Sequence, residues 1–340
     1  MNSQTHKFYI SRLLLMFSVI LLGFLTTTAA VSANKDTNTN RNPVADFDGD
    51  RKSDISVFRP SNGFWYIMKS SGGFSYIQWG QTRDVLVPGD YDGDGATDTA
   101  VYRSNLQLSG NNDNGTWYIR KSSDNTYIAR LFGKSALISG ESPLPADYDG
   151  DGKTDLAVYN YTDVNEPLYF KILQSSTDSR VVRQWGLTDD KKVPADYDGD
   201  GKADIAVFRY NISPGSTEAG IWYILQSSNG ATRVERFGLP TDKLVPADYD
   251  GDGRADIAVY RPSNGFWYRI NSRDGSFYAA QFGVSTDKPV PADYDGDGKT
   301  DIAVFRASTG VWYLQRSTEG FAAYAFGLPD DIPIPNVFVR

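Results

Sequence analysis

One acidic segment recurs six times along the chain and restricts its fold more than any other feature. The segment is Ala-Asp-Tyr-Asp-Gly-Asp-Gly or a close variant, and successive copies lie 44, 57, 49, 52 and 45 residues apart. The first Asp of each copy is Asp46, Asp90, Asp147, Asp196, Asp248 or Asp293. Repeats of 40 to 50 residues cannot each bury an apolar face alone, so they must pack on one another, as in a propeller or a solenoid.

Each repeat contains four short segments typical of β-strands. In the fourth copy they are Val193–Tyr197, Ile205–Arg209, Ile221–Gln226 and Arg233–Phe237, which are rich in β-branched and aromatic residues and separated by turn residues. No part of the chain after residue 33 has helical periodicity. We therefore predict an all-β propeller of six four-stranded antiparallel blades.

The C-terminal segment leaves the number of blades open. Residues 333–338 resemble the start of a seventh repeat but lack the Asp, so the chain has seven first strands and six sets of the other three. Six blades are expected, with seven as the alternative, and the terminal strand is expected to help close the ring. Three long spacings are explained by predicted hairpin insertions over residues 106–114, 161–167 and 210–219.

The second and third strands supply the expected core. The second strand, Ile-Ala-Val-Phe/Tyr, is apolar on both faces, as a strand covered by neighbouring blades should be. A Trp-Tyr pair follows in the third strand of five blades, and each large ring can bury about 150–250 Å² between blades. Blade 3 departs from the pattern, because it has Phe170-Lys171 in place of this pair and Asn160 in place of the Arg that closes the second strand.

The acidic segments have the composition of calcium loops. Carboxylates occupy positions 1, 3, 5 and 9, and the backbone carbonyl of position 7 adds another oxygen. Hard oxygen ligands in this number suit Ca²⁺ better than Mg²⁺. An EF-hand would need Glu at position 12 and flanking helices, so we predict up to six Ca²⁺ ions in loops between the first and second strands. The predicted ligands are Asp46, Asp48, Asp50, Lys52, Asp54, Asp90, Asp92, Asp94, Ala96, Asp98, Asp147, Asp149, Asp151, Lys153, Asp155, Asp196, Asp198, Asp200, Lys202, Asp204, Asp248, Asp250, Asp252, Arg254, Asp256, Asp293, Asp295, Asp297, Lys299 and Asp301.

The alternative for these Asp-Gly runs is an ordinary solvated turn. Carboxylates packed without a cation repel by about 1 to 4 kcal/mol per pair, depending on the effective dielectric. Six copies at equivalent positions favour the metal. Position 6 is Gly in five loops, as a left-handed turn requires, and Arg51 in the first, so the first site is expected to be the weakest.

The N-terminus predicts export. Lys7 and Arg12 precede an apolar run of thirteen residues, 13–25, and Val31-Ser32-Ala33 offers a signal-peptidase site. The run is shorter than the roughly 20 residues that span a membrane. The expected organisation is a signal peptide over 1–33, a polar leader over 34–42 and the propeller over 43–340, in a secreted or cell-surface protein that is not inserted in the membrane after cleavage. An uncleaved anchor is the alternative.

Composition excludes several kinds of chemistry. The chain has no Cys and its one His is His6, inside the predicted signal peptide, so Ser-His-Asp and thiolate catalysis, disulfides and His or Cys zinc sites are excluded from the mature chain. The net charge is −8, and loss of Lys7 and Arg12 makes it −10. An acidic chain is a poor partner for nucleic acid.

The repeat resembles a known family. Asp-x-Asp-Gly-Asp-Gly-x-x-Asp, followed by Ile-Ala-Val and ending in Phe132-Gly133, Phe237-Gly238, Phe282-Gly283 or Phe326-Gly327, is similar to the FG-GAP repeats of integrin α-subunits, to bacterial VCBS-like repeat proteins and to fungal propeller lectins. The resemblance covers about residues 43–340 and implies calcium loops and a role in binding proteins or glycans. Trp79-Gly80 and Trp185-Gly186 replace Phe-Gly in two blades, and the Gly-Ala-Pro half of the motif is absent.

Three functions remain open at this point. The first is an extracellular binding or adhesion module for glycans or proteins. The Arg residues at the end of the second strand in five blades are candidates to contact the ligand, and the alternative is that they pair with a neighbouring blade. These are Arg59, Arg103, Arg209, Arg261 and Arg306. The others are a calcium-assisted, lyase-like polysaccharide enzyme and a structural module of a surface assembly. Because every acid cluster is repeated, we expect no catalytic residues and no enzyme activity.

Overall fold

The chain forms antiparallel sheets of four strands, as the repeat predicts. The computed structural model describes residues 44–104, 114–134, 140–161, 166–210 and 218–335. Within these residues all strands belong to six sheets and there is no α-helix. The six-bladed propeller is confirmed.

The strands are short, most of them five residues long. In chain order they are β1 (Ile55–Arg59), β2 (Phe64–Met68), β3 (Phe74–Gln78), β4 (Val85–Leu86), β5 (Thr99–Arg103), β6 (Thr116–Arg120), β7 (Tyr127–Leu131), β8 (Gly140–Pro143), β9 (Leu156–Tyr161), β10 (Pro167–Leu173), β11 (Arg180–Leu187), β12 (Lys191–Lys192), β13 (Ile205–Arg209), β14 (Ile221–Leu225), β15 (Thr232–Arg236), β16 (Lys243–Leu244), β17 (Ile257–Arg261), β18 (Phe266–Ile270), β19 (Phe277–Gln281), β20 (Lys288–Pro289), β21 (Ile302–Arg306), β22 (Val311–Arg316), β23 (Gly320–Ala325) and β24 (Ile332–Pro333).

Blade 1 is built from both ends of the propeller, whereas blades 2 to 6 are each built from four consecutive strands. Blades 2 to 6 are β4–β7, β8–β11, β12–β15, β16–β19 and β20–β23, and blade 1 has the order β24-β1-β2-β3. Ile332 pairs with Phe58 and Pro333 with Val57. The C-terminal segment therefore provides the first strand of blade 1 and closes the ring, as expected.

The first strand of each blade differs from the sequence prediction. In blade 4 the first strand is Lys191–Lys192, and the predicted segment 193–197 follows it. Two contacts join this segment to the second-strand region: the Ala195–Asp204 bridge and the hydrogen bond from Val193 N to Ala206 O. Residues 193–197 looked like a strand because Val193 and Tyr197 are buried between blades. The second strand lies at Ile205–Arg209 as predicted, and the third and fourth strands differ by one residue at their ends.

The core lies between neighbouring blades. Phe208 and Trp222 of blade 4 pack with Val259 of blade 5 in one of six such apolar clusters. The first four residues of β13 are all buried, which confirms that both faces of the second strand are covered. The Trp222 indole N–H donates to the Phe237 carbonyl at 3.0 Å, so the Trp of the third strand also fixes the Phe-Gly segment. The predicted core role of the Trp is confirmed.

The two Trp-Gly segments connect blades by hydrogen bonds. Trp79 Nε1 donates to the carbonyl of Tyr118 at 3.1 Å, and Trp185 Nε1 donates to the carbonyl of Tyr223 at 3.0 Å. Each acceptor lies in the third strand of the next blade. Replacing Phe by Trp therefore adds a contact between blades.

Blade 3 compensates for its unusual residues. Phe170 is fully buried, and Lys171 forms an ion pair with the buried carboxylate of Glu141. Asn160 accepts a hydrogen bond from Tyr169 N and donates to the Pro167 carbonyl. The Lys171–Glu141 pair thus provides the cation and the acid that an Arg and an Asp provide in the other blades.

The predicted signal peptide (1–33) and leader (34–42) lie outside the described residues, as do most of the predicted hairpin insertions. In the part of the chain that is described, no helix is long and apolar enough to cross a membrane.

Candidate metal centres

Loops 1 to 5 each bring three of their four predicted carboxylates together: those at positions 1, 3 and 5 in loops 1 and 2, and those at positions 1, 3 and 9 in loops 3 to 5. In blade 4 the loop runs from Asp196 to Asp204 between β12 and β13, and the Ala195–Asp204 bridge closes its base. Carboxylate oxygens from three Asp residues lie within 4.8 Å of one another in each group. Five of these groups are Asp46/Asp48/Asp50, Asp90/Asp92/Asp94, Asp147/Asp149/Asp155, Asp196/Asp198/Asp204 and Asp248/Asp250/Asp256.

The Asp residues at positions 1 and 9 shape the loop as well as offering oxygens. In loop 1, Asp46 accepts hydrogen bonds from Gly49 N at 2.7 Å and Arg51 N at 2.8 Å. Asp54 accepts one from Phe47 N at 2.8 Å and another from Ser70 N at 2.7 Å, in the turn after the third strand. Both carboxylates are fully buried, so the loop is held by its own potential ligands.

Two of the Asp residues at position 3 have an oxygen available for a ligand. Asp48 Oδ2 accepts a hydrogen bond from Ser71 at 2.5 Å, but Asp48 Oδ1 is buried and has no hydrogen-bond partner among the described residues. The same holds for Oδ1 of Asp295, at the equivalent position of loop 6. A buried carboxylate oxygen without a partner is costly. A hard cation bound among these oxygens would satisfy both atoms, so the donor set fits a metal ion.

Burial makes ionisation of the ninth residue costly without a cation. Desolvation, reinforced by neighbouring loop carboxylates, raises the pKa of Asp301 from 3.8 to about 7. It raises the pKa to about 6 for the other five residues at this position, Asp54, Asp98, Asp155, Asp204 and Asp256. A divalent cation bound in the loop would offset this cost.

Loop 1 has a strained residue at position 6. Arg51 has φ of 70°, whereas the equivalent residue in the other loops is a Gly with φ between 83° and 89°. The prediction that position 6 requires positive φ is therefore confirmed. Gly also has positive φ at position 4 in every loop, which the sequence analysis missed.

We predict that Arg51→Gly tightens calcium binding at one site by about five- to thirtyfold, because a side chain in this conformation costs about 1–2 kcal/mol. The matched reverse variant is Gly201→Ala, since a Cβ there meets nothing within 4 Å and so changes only the backbone preference. It should weaken one site. Titration calorimetry of the two variants measures both effects, and an unchanged weakest site in Arg51→Gly would show that the strain does not affect binding.

A belt of backbone hydrogen bonds joins the six loops. The N–H at position 8 of each loop donates to the carbonyl at position 1 of the preceding loop, over 2.5–2.7 Å. With the donor first, the pairs are Ser53–Asp293, Thr97–Asp46, Thr154–Asp90, Ala203–Asp147, Ala255–Asp196 and Thr300–Asp248. The first pair closes the belt between blades 6 and 1. Each candidate metal centre is therefore directly connected to two others.

The Arg residues proposed as ligand forks are already paired. Arg209 donates two hydrogen bonds to Asp190 at 2.7 and 2.8 Å, and its guanidinium lies 5.1 Å from the centre of the Tyr223 ring. The same arrangement occurs at Arg59–Asp331, Arg103–Asp84, Arg261–Asp242 and Arg306–Asp287. The acid lies before the first strand of the same blade. These Arg–Asp pairs stabilise the blades. The hypothesis that the guanidinium groups are free to bind a ligand is therefore not supported.

Comparison with known proteins identifies the repeat. The FG-GAP-like repeat family matches residues 196–259 and 248–304, and the FG-GAP repeat family matches residues 139–166. These segments contain acidic loops and second strands of blades 3 to 6. The chain is a β-propeller that contains FG-GAP repeats. A search of curated proteins found no match.

Several solved structures are similar to this chain at low sequence identity and low TM-score. A mutant of AofleA from Arthrobotrys oligospora is 13% identical with a TM-score of 0.41, over 83% of this chain and 88% of that one. A Synechocystis apocarotenoid oxygenase mutant is 9% identical with a TM-score of 0.39, over 83% and 71%. The exotype rhamnogalacturonan lyase YesX is 12% identical with a TM-score of 0.34, over 80% and 64%.

The expectation that this chain is not an enzyme is wrong as an inference from its repeats. The similar structures include a lyase and an oxygenase. The fold by itself neither assigns nor excludes an enzymatic activity.

Proposed function

We propose that this FG-GAP protein is exported, binds Ca²⁺ in its six acidic loops and binds glycans or proteins outside the cell. The observation that carries the proposal is the grouping of buried carboxylates in equivalent loops, with orphaned oxygens at Asp48 and Asp295. Groups of this kind need a cation, and extracellular calcium is abundant enough to occupy sites with a Kd of about 0.1–1 mM.

The residues that would hold calcium are those at positions 1, 3, 5 and 9, through carboxylates, and position 7, through its carbonyl. In loop 4 these are Asp196, Asp198, Asp200, Asp204 and Lys202. Bound calcium would neutralise the repelling carboxylates and hold the first and second strands of each blade together. Because the belt connects neighbouring loops, ordering one loop supports the next.

Exposed aromatic side chains support a role in binding. The fourth strands present Tyr76, Tyr127, Phe277 and Phe321 with about 61–68% of their surface accessible. Large aromatic rings at a surface are typical of sites for glycans and proteins, since they bury much area at small entropic cost. One side of each ring packs on another aromatic ring, in the pairs Tyr76–Tyr66, Tyr127–Trp79, Phe277–Phe237 and Phe321–Phe282. The remaining exposed surface of each ring is available to a ligand.

The test is binding of the secreted protein to a glycan array and to extracellular-matrix proteins, in 1 mM CaCl₂ and in excess EGTA. Calcium-dependent binding of at least one ligand class is expected, and N-terminal sequencing should begin after Ala33. Retention of residues 1–33, or the absence of any ligand in calcium, would contradict the proposal.

A further inference from the structure

Two equivalent clefts open between neighbouring blades beside the acidic loops. The cleft between blades 3 and 4, here the 3/4 cleft, has a volume of about 310 Å³ and is bordered by Lys202 of loop 4 and Arg183 of β11. The cleft between blades 6 and 1, here the 6/1 cleft, has about 260 Å³ and is bordered by Lys52 of loop 1 and Arg316 at the end of β22. Lys202 and Lys52 both occupy position 7 of their loops.

The two clefts differ in how their cations are paired. The 6/1 cleft has three cations, Lys52, Lys69 and Arg316, and the first and last of these pair with an acid. In the 6/1 cleft, Lys52 lies 3.7 Å from Glu319, and Arg316 forms an ion pair with the same carboxylate. In the 3/4 cleft, neither Arg183 nor Lys202 forms an ion pair with any described residue, and the only hydrogen bond of the Arg183 side chain is to the Val182 carbonyl at 3.2 Å. The 3/4 cleft therefore has two positive charges without a counter-ion.

Lys202 is held at the cleft by the neighbouring loop. Its side chain crosses Gly150 of loop 3, and a Cβ at that position would lie 3.0 Å from Lys202 Cγ. The position of the ammonium group is thus restricted by packing against the preceding blade. A positioned cation loses less entropy when it binds an anion than a freely rotating one does.

The rest of the 3/4 cleft offers neutral hydrogen-bonding groups over an apolar floor. Gln174 and Gln226 line it, and neither side-chain amide is hydrogen-bonded to another described residue. Ile172 and Ile205 form the floor and are at most 8% exposed. Free amides suit hydroxyl groups, an apolar floor suits the C–H face of a ring, and paired cations suit a carboxylate. The volume is at the lower end of the range for small-ligand sites.

We propose that the 3/4 cleft binds an acidic saccharide through the carboxylate of a uronate residue. Arg183 and Lys202 receive the carboxylate, Gln174 and Gln226 bind ring hydroxyls, and the apolar floor contacts one face of the sugar. The inference rests on the proposed function, because it names the ligand class and the place of binding for an extracellular propeller. In the 6/1 cleft the Glu319 carboxylate already pairs with Lys52 and Arg316, where a ligand carboxylate would bind, so we expect weaker binding there.

The experiment is titration calorimetry with trigalacturonate in 1 mM CaCl₂. Wild type should bind one equivalent, and Arg183→Gln/Lys202→Gln should bind at least tenfold more weakly. Arg183 is exposed on the outermost strand, so Arg183→Gln alone provides a variant whose folding is not affected. The control, Lys52→Gln/Arg316→Gln, removes the two cations that pair with Glu319 in the 6/1 cleft and should change the affinity less than twofold. Glu319→Gln should release those cations and raise the stoichiometry toward two.

Several results would overturn the inference. Unchanged binding by Arg183→Gln/Lys202→Gln, or an equal loss in the 6/1 control, would place the ligand elsewhere while leaving the proposed function intact. Equal affinity for uncharged trigalactose would remove the role of the carboxylate. Tighter binding of hexaglutamate than of trigalacturonate would show that the cleft prefers an acidic peptide. Absence of any glycan or protein ligand for wild type on the arrays would instead contradict the proposed function itself.

Discussion

Removal of calcium with excess EGTA is expected to lower the melting temperature by about 5 to 20 °C. At 1 mM calcium and a Kd of about 0.1–1 mM, each site contributes about 0.4–1.4 kcal/mol, which amounts to about 2.5–8.5 kcal/mol for six sites. In a protein of this size, 1 kcal/mol changes the melting temperature by about 2 °C. The effect is large because Asp54 and its five equivalents are fully buried or nearly so, and repel neighbouring acids when no cation is present.

Far-UV circular dichroism during heating measures this effect. Restoring 1 mM free calcium should recover the original curve, whereas the same concentration of Mg²⁺ should not, since Mg²⁺ dehydrates reluctantly. The difference between the melting temperatures with and without calcium should be smaller in Asp204→Asn than in wild type. In the exposed control Asp189→Asn this difference should be unchanged. A melting temperature that does not depend on chelator would refute a structural role for calcium.

Breaking the ion pair that closes the ring is expected to be the next largest effect. Asp331 accepts two hydrogen bonds from Arg59, at 2.8 and 2.9 Å, and one from Leu328 N at 2.8 Å, and its side chain is 1% exposed. Asp331→Asn should lower the free energy of unfolding by about 3–5 kcal/mol, because it leaves the Arg59 guanidinium without its counter-ion. The melting temperature should fall by about 6–10 °C.

The neighbouring residue provides the control for this prediction. Asp330 is exposed, so Asp330→Asn should change the melting temperature by less than about 2 °C. Arg59→Gln/Asp331→Asn should be no less stable than Asp331→Asn alone, because both partners of the pair are then absent. If Asp330→Asn and Asp331→Asn were equally stable, the Arg59–Asp331 ion pair would not contribute to the stability of the closed ring.

The repeat made the blade count and most strands predictable from sequence. Strand β13 lies where Ile-Ala-Val-Phe placed it, because both faces of that strand are buried and the apolar run has no other explanation. The first strand was misplaced because Val193 and Tyr197 are buried without belonging to a regular ladder. In a short segment, buried residues give the same apolar sequence pattern whether or not their backbone is paired in a strand.

The acids that pair with Arg were missed although the sequence contains a signal for them. Asp84, Asp190, Asp242 and Asp287 each precede their Arg by 19 residues, a spacing that recurs in four blades. Asp331 lacks this spacing because the ring closes between it and Arg59. The hydrogen-bond belt had no such signal, since its donors and acceptors are backbone atoms of any residue type.

The central claim is that the acidic loops hold calcium, and equilibrium dialysis with radioactive calcium tests it most directly. At saturation the protein should bind six ions per chain, with one site weaker than the rest, and Asp198→Asn/Asp200→Asn should reduce the number by one. Binding of no calcium above that of the dialysis blank, or binding that Asp198→Asn/Asp200→Asn leaves unchanged, would contradict the account.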